Sequence, residues 1–442
     1  MRKYFFIILF TLFATNYLIA NTKYSLTKIN EIKNVTFNTI IIKDKLLYAA
    51  TGTGLKIYSI ENPRNPILLG SYKTKYYLWD IEVIGNYAYT VASNYGLEII
   101  DITDKNNPYL IGKYNTEGSA RGLDVEGDYV FVADYLNGVN IIDISNPYSP
   151  KYVSHLKTNS SAHNLAIKGN YVFVANDIAG VELINIENIK YPYLVSNYAT
   201  NDAVYKIMIK DNVAFAAIFS DGLNIYDIKD PYNPKILSHI ESNDKTYSLT
   251  VKDNLLVMAD FAGGIQLVDI NDSKNPKVLD KYDTTGYSQS VAIYKNYIYV
   301  AEARSGLKIL SMTNQEESNR DKIRNFVTRL YFYTLGRNPD EGGLNYWTSQ
   351  FIDHNKTGTS VSKSFFFSPE FLNSNIDNPT YVKRAYKTIL NREPDEGGLN
   401  YWVSQLDKGK SRKEIFYGFA FSNEFKILCE SYGIVSYDDN DK

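Results

Sequence analysis

Gly96-Leu-Glu-Ile-Ile-Asp-Ile102 and Gly138-Val-Asn-Ile-Ile-Asp-Ile144 are one pattern, 42 residues apart. It starts earlier as Gly54-Leu-Lys-Ile-Tyr-Ser-Ile60 and continues as Gly180-Val-Glu-Leu-Ile-Asn-Ile186 and Gly222-Leu-Asn-Ile-Tyr-Asp-Ile228. Gly264-Ile-Gln-Leu-Val-Asp-Ile270 and Gly306-Leu-Lys-Ile-Leu-Ser-Met312 complete the series. The leading glycines keep the step of 42 throughout, and Pro66, Pro108, Pro150, Pro192, Pro234 and Pro276 keep it too. A fixed period over seven copies identifies a repeat architecture before any local reading does.

Each copy divides into short strands. In the third, Gly122-Leu-Asp-Val-Glu126 is followed by a turn at Gly127-Asp128, then Tyr129-Val-Phe-Val-Ala133. Gly138 opens a third strand, and Lys151 to Leu156 forms a fourth after Pro150. Valine, isoleucine and tyrosine suit half-buried strands, Gly-Asn and Gly-Asp suit tight hairpins, and proline ends a ladder. Four strands in 42 residues match a propeller blade. A solenoid is the competing architecture, but it needs capping ends and none is evident. The last copy lacks a proline-led fourth strand, and Tyr24 to Ile32 is expected to supply it and close the ring. The repeated glycine is expected at a close backbone approach or a positive φ. Asp101, Asp143, Asp227 and Asp269 are expected to bond turn amides before the proline.

The glycine-led strands, the Asn-Pro elements after them and Tyr171-Val-Phe-Val-Ala175 resemble the LVIVD-repeat family of β-propellers, over roughly residues 24–313. That resemblance implies an exported or surface protein of bacterial or archaeal type, with poorly defined activity. Serine at 59 and 311 departs from Asp101, Asp143, Asp227 and Asp269 at the equivalent position.

The start of the chain reads differently. Arg2 and Lys3 precede an apolar run from Tyr4 to Phe13, and Ala20 ends the stretch. This is the layout of a secretory signal, with cleavage expected after Ala20. An uncleaved anchor is the rival reading. No later stretch is expected to form a stable membrane span once the signal is removed. Of 442 residues, 44% are hydrophobic and 22% charged, which rules out wholesale disorder. The near-balance of 47 basic and 49 acidic residues argues against nucleic acid as a partner. A single cysteine, Cys429, excludes an internal disulfide and an all-cysteine metal site; a buried thiol is expected. The 39 tyrosines suit strands, and they raise the question of a flat binding surface.

Two equivalent-position sets carry the candidate chemistry. Ala92, Asp134, Asn176, Ile218, Asp260 and Glu302 end the second strands. Trp79, Arg121, His163, Tyr205, Tyr247 and Gln289 are the ring-lining binding candidates. If both sets face one mouth, Asp134, Asp260 and Glu302 become acid, base or metal-positioning groups, assisted by His163 and Arg121. Hydrated or structural polarity at strand ends is the plainer alternative. His155 and His239 occupy one repeat position two blades apart and read as structural.

After Met312 the composition changes. Leu335-Gly-Arg-Asn-Pro-Asp-Glu-Gly-Gly-Leu-Asn-Tyr-Trp347 returns as Leu390-Asn-Arg-Glu-Pro-Asp-Glu-Gly-Gly-Leu-Asn-Tyr-Trp402, and Phe367-Ser-Pro-Glu-Phe371 as Phe421-Ser-Asn-Glu-Phe425. Phe326, Leu330 and Tyr333 recur at helical spacing. Asp340 and Asp395 are expected to cap helices, Trp347 and Trp402 to fill a core, and Arg337 and Arg392 to bind carboxylates or helix-end carbonyls. Calcium is conceivable through Asn338, Asp340 and Glu341, or through Glu393, Asp395 and Glu396, although EF-hand spacing is absent. No other cofactor is expected. These motifs resemble the bacterial domain-of-unknown-function family 4214, with Asn391 standing where the first unit has Gly336. The resemblance implies extracytoplasmic scaffolding or adhesion.

The expected fold is an all-β seven-bladed propeller plus a mainly α-helical C-terminal repeat domain. Its expected division is a signal over 1–20, the propeller over 21–313 and a linker or helix start over 314–324. Helical modules follow over 325–374 and 375–430, then a polar tail over 431–442. The leading functional expectation is an exported noncatalytic binding, adhesion or envelope-assembly protein, placed in the periplasm, on the cell surface or outside the cell. Its partner would be an envelope or extracellular protein or a glycan. The alternative is an exported hydrolase or lyase with an acidic, metal-dependent or metal-free, site at the propeller mouth.

Overall fold

Alternating strands with two apolar faces must bury both, and here each sheet buries them against its neighbours. The computed structural model describes residues 24–441, with backbone alone at 315–317. The expected signal at 1–20 lies outside the described residues. Two compact units meet in sequence at Thr313 and Asn314.

The first unit contains seven four-stranded sheets. The third is typical: Gly122–Glu126, Tyr129–Ala133, Val139–Asp143 and Lys151–Leu156 pair in sequence order, all antiparallel. Seven apolar clusters fill the seams between consecutive sheets. One joins Tyr89, Val91, Leu97 and Ile99 of the second blade to Leu123, Val130, Val132 and Ile142 of the third. Another joins Ala292, Tyr299 and Ile309 of the last blade to Phe37, Leu47 and Tyr58 of the first. Seven sheets joined by seven seams make a closed seven-bladed propeller. The last blade is completed by Tyr24–Ile32, which lies beside Leu307–Asn314.

The repeated glycine serves both expected purposes at once. Every copy has a positive φ, from 73° at Gly96 to 125° at Gly54. A Cβ at Gly138 would overlap the Leu156 carbonyl oxygen, and one at Gly306 would overlap that of Ile32, from the closing strand. The turn aspartates act as expected: the Thr103 N–H donates to Asp101 at 2.8 Å, Ser145 to Asp143 at 2.8 Å and Asn271 to Asp269 at 2.8 Å. Ser59 accepts from Glu61 at 3.4 Å, so serine performs the same task less well.

The second unit is helical: α1 (Gln315–Leu330), α2 (Glu341–Ile352), α3 (Gly358–Phe366), α4 (Pro369–Leu372), α5 (Asn378–Ala385), α6 (Glu396–Asp407), α7 (Arg412–Ala420) and α8 (Asn423–Ser431). One π-turn follows α1, at Tyr331–Leu335, and another follows α5, at Tyr386–Leu390. Each ends in a left-handed residue, Gly336 at φ 73° and Asn391 at φ 56°. Asparagine is the side chain that best tolerates that region, so the exchange preserves the loop. A single core runs through both modules, from Ile323 and Phe326 to Phe425 and Cys429. The segment expected as a polar tail docks onto this unit. Ile434 is buried, and Gly358 and Thr359 donate to the carbonyls of Val435 and Ser436 at 2.8 Å. Burial pushes the Cys429 thiol up to about 12.

Gly138→Ala is expected to destabilise the propeller by about 1–3 kcal/mol, because the left-handed conformation and the Leu156 carbonyl both oppose a side chain. An unchanged midpoint in denaturant unfolding would contradict this reading.

Candidate functional site

The residue just before the innermost strand of a blade is held by one repeated backbone bond. Trp79 donates to Val91 at 2.8 Å, Arg121 to Ala133 at 2.8 Å, His163 to Ala175 at 2.9 Å, Tyr247 to Ala259 at 2.9 Å and Gln289 to Ala301 at 2.9 Å. The ladder therefore delivers equivalent positions to one ring. Trp79, Arg121, His163, Tyr205, Tyr247 and Gln289 all line a single opening of about 80 Å³. The seventh place belongs to Asn38, which is 41 residues before Trp79 rather than 42. The bridge pairing Phe37 with Ala303, where other blades pair Ala120 with Ser93 and Ala162 with Tyr135, places the slip in the first blade.

The rim is aromatic along one arc. Ring centres lie 5.5 Å apart for Tyr135 and His163, 4.4 Å for His163 and Tyr205, and 4.8 Å for Tyr205 and Tyr247. The arc continues through Phe261, 5.7 Å from Tyr247, to Tyr287, 4.2 Å beyond and stacked. Tyr287 and Tyr77 are half exposed. Tyr135 and Phe261 hold φ of 54° and 49°, a region that costs a bulky side chain about 1–3 kcal/mol. The Arg121 guanidinium lies 4.4 Å from the Trp79 ring centre and 5.1 Å from that of Tyr135. Burial holds the His163 imidazole at about 4, opposed by Asp177 and reinforced by Arg121, so the ring is neutral near pH 7.

Below the opening, the innermost strands enclose a second cavity of about 250 Å³. Its charged lining, Asp80, Glu82, Asp124 and Lys206, is missing from the sequence-derived candidates. Alternation in Asp80-Ile-Glu-Val83 marks these residues as channel-facing. They stitch the inner edges: Leu123 N–H donates to Asp80 at 3.3 Å, Ile167 to Asp124 at 2.9 Å and Ile207 to Asn164 at 3.3 Å. Burial pushes the carboxyl groups of Glu82 and Asp124 upward. Lys206 faces Asp80 at 3.8 Å.

Asp134, Asp260 and Glu302 do not join the opening lined by His163 and Arg121. Asp134 accepts from Thr116 at 2.8 Å, Asn137 at 2.9 Å and Asn140 at 3.0 Å. It underlies a separate open cleft that includes Asn94, Glu117 and Leu136. Asp260 accepts from Thr246 at 2.8 Å and Gln266 at 2.7 Å. Glu302 pairs with Lys308 at 2.9 Å. Each acid is thus matched by a donor six residues on, and all three are fully or almost fully buried. His155 bonds the Asn137 carbonyl and His239 bonds the Asn224 side chain at 2.8 Å, both within blade edges.

The helical loops are similarly committed. Asp340 and Asp395 accept from Gly343 at 2.8 Å and Gly398 at 2.7 Å, capping α2 and α6. Glu341 binds Arg324 at 2.8 Å, Glu393 binds Lys387 at 2.6 Å, the Asn338 carbonyl accepts from Arg337, and Glu396 is exposed on the first turn of α6. Arg337 grips Glu370 through two bonds, 2.6 and 3.0 Å, and Arg392 grips Glu424 at 2.5 and 3.1 Å. Ser368 and Ser422 cap the helices that carry those glutamates, and Phe371 and Phe425 fill the core. Among the described residues, no group of three or more histidine, cysteine, aspartate or glutamate side chains is placed to hold a metal ion.

The model of the LVIVD repeat matches residues 38–74, 77–116, 117–158, 160–200 and 285–315. The model described as a domain of unknown function (DUF4214) matches 311–374 and 362–429. Among solved structures, the computationally designed Ika8 protein is 11% identical with a TM-score of 0.50, covering 66% of this chain and 100% of its own. The WD40 β-propeller domain of Doa1 is 12% identical with a TM-score of 0.52, covering 66% and 97%. At such identities the likeness shows the fold alone. No curated protein matches the chain.

Two substitutions separate framework from mouth. Asp134→Ala strands the Thr116, Asn137 and Asn140 donors and is expected to cost about 1–3 kcal/mol in denaturant unfolding; a cost near zero would release Asp134 from a framework role. For His163, the unfolded chain takes up a proton near pH 6.5 and the folded one near 4, so its contribution to stability is lost as pH falls through that window. The stability difference between wild type and His163→Gln should therefore shift against wild type from pH 7 to 4. Parallel melting curves would contradict the neutral assignment.

Proposed function

We propose that this chain, an LVIVD-repeat propeller joined to two DUF4214 modules, is an exported noncatalytic recognition protein that binds through the propeller mouth. The observation that carries this reading is the ring of unlike side chains at one repeat position. Gly138 and its equivalents, fixed by the backbone, repeat one residue; the varied set at Asp134 is buried, whereas this varied set opens on a cavity. Trp79, Arg121, His163, Tyr205, Tyr247 and Gln289 bring aromatic, cationic and amide groups to one opening. The arc from Tyr135 to Tyr287 extends it with flat surface suited to protein or sugar contact.

The buried acids favour this reading over hydrolysis, because framework donors occupy both oxygens of Asp134 and Asp260 and Lys308 pairs with Glu302. The partner would be an envelope or extracellular protein or a glycan, with the helical modules attaching the molecule to other envelope material. Export would use the segment at 1–20. Among the described residues, no helix is long and apolar enough to cross a membrane.

Immobilised full-length mature protein should retain envelope material that a Trp79→Ala, Tyr205→Ala, Tyr247→Ala variant of matching thermal midpoint retains at least tenfold less. Equal retention by the variant would overturn the mouth as the recognition face.

A further inference from the structure

The charges at the opening are unequally matched. Its lining holds Asp80, Arg121 and Lys206. Asp80 is buried, faces Lys206 at 3.8 Å, and accepts from Asn164 and the Leu123 amide. Arg121 has no such counterpart. Among the described residues it makes no ion pair and no side-chain hydrogen bond, and its Nε is buried without a partner. Trp79 and Tyr135 support the guanidinium through their ring faces, which leave its hydrogen-bonding groups unused. A planar guanidinium held in this way is prepared for a carboxylate, which it can meet with two parallel bonds.

The rest of the opening limits what carries that carboxylate. An opening of about 80 Å³ admits a small charged group with part of one ring and excludes a folded chain. Ser248, Gln289 and the Asn38 side-chain carbonyl add uncharged donors and acceptors around it, while Asn164 is already committed to Asp80 and the Ile207 amide. Trp79, Tyr205 and Tyr247 add aromatic surface. Amide and hydroxyl groups beside flat apolar surface match the hydroxyls and face of a pyranose, whereas an aspartate or glutamate side chain would leave them unanswered.

The geometry points to a carboxylated sugar of the uronate type as the group received in the propeller mouth, with its carboxylate on Arg121. This inference rests on the mouth being the recognition face, and it names the class of ligand taken there.

Calorimetric titration of the full-length mature protein with methyl glucuronide, methyl glucoside and N-acetylglutamate amide tests it. Methyl glucuronide is expected to bind at least tenfold more tightly than either of the others. Arg121→Gln should abolish that preference, and Arg121→Lys should retain part of it, with wild-type melting for both. The comparison among ligands needs only wild-type protein, so it stands even if a variant fails to fold. Absent glucuronide binding, equal glucoside binding, or N-acetylglutamate amide binding as tightly would each overturn the inference. Competition distinguishes this from failure of the broader reading. If envelope capture depends on Trp79, Tyr205 and Tyr247 yet resists excess glucuronide, the ligand class falls and the recognition face stands. If capture ignores those three residues, both fall.

Discussion

The propeller depends on burial between neighbouring sheets. Each blade carries apolar side chains on both faces, and neither face can be covered from within the blade. Phe131, Ile141 and Val174 are buried only because the third and fourth sheets share a seam. The same requirement at the two ends forces the last blade against the first, where Tyr299 meets Phe37 and Leu47. At about 1.5–3 kcal/mol for burying each large aliphatic or aromatic side chain, such a seam outweighs any single hydrogen bond in the ring. Closure also fixes the mouth, since seven sheets locked by seams hold their innermost ends at set spacings. Recognition residues can then vary freely at a position whose backbone does not.

Much of this was legible in the sequence because each feature left a local and repeated mark. The period of 42 marked the blades. The glycines marked a positive φ, the aspartates marked turn amides, and Tyr24 to Ile32 stood at the right distance to complete the last sheet. The ring of Trp79, Arg121, His163, Tyr205, Tyr247 and Gln289 followed from the same arithmetic. The seventh member did not. Asn38 breaks the step by one residue, as the pairing of Phe37 with Ala303 and the register of the first hairpin reveal. Asp134, Asp260 and Glu302 looked like mouth chemistry because repeat position gives no side-chain direction. Their partners were visible all along, six residues on, but a complementary pair across a hairpin is recognised only once the register is known. Asp80, Glu82 and Asp124 were hidden for a related reason: their alternation with apolar neighbours resembles an ordinary solvated strand, although they face an enclosed channel.

The helical unit applies a different economy. Its motif reads as a loop signature, yet its parts are joined to a distant stretch. Arg337 and Glu370 stand 33 residues apart and share two bonds over the face of Tyr331. Arg392 and Glu424 repeat the arrangement over Tyr386. The second glycine of each loop leaves room for that tyrosine hydroxyl. One clamp therefore explains why arginine, the paired glycines and the Ser-x-Glu-Phe element travel together in both copies.

The six-residue matching of buried polar groups bears on how such a gene can change. Asp134 is paired with Asn140, Asp260 with Gln266 and Glu302 with Lys308, whereas the fourth blade sets Asn176 beside Glu182. Units of 42 residues that share one register can be exchanged between copies. A crossover falling inside this short window would join Asp134 to Glu182 and bury two carboxylates together. A crossover outside it carries each acid away with its own donor. Repeats of this kind can be gained, lost or exchanged as whole units, but the hairpin between the second and third strands must be inherited intact.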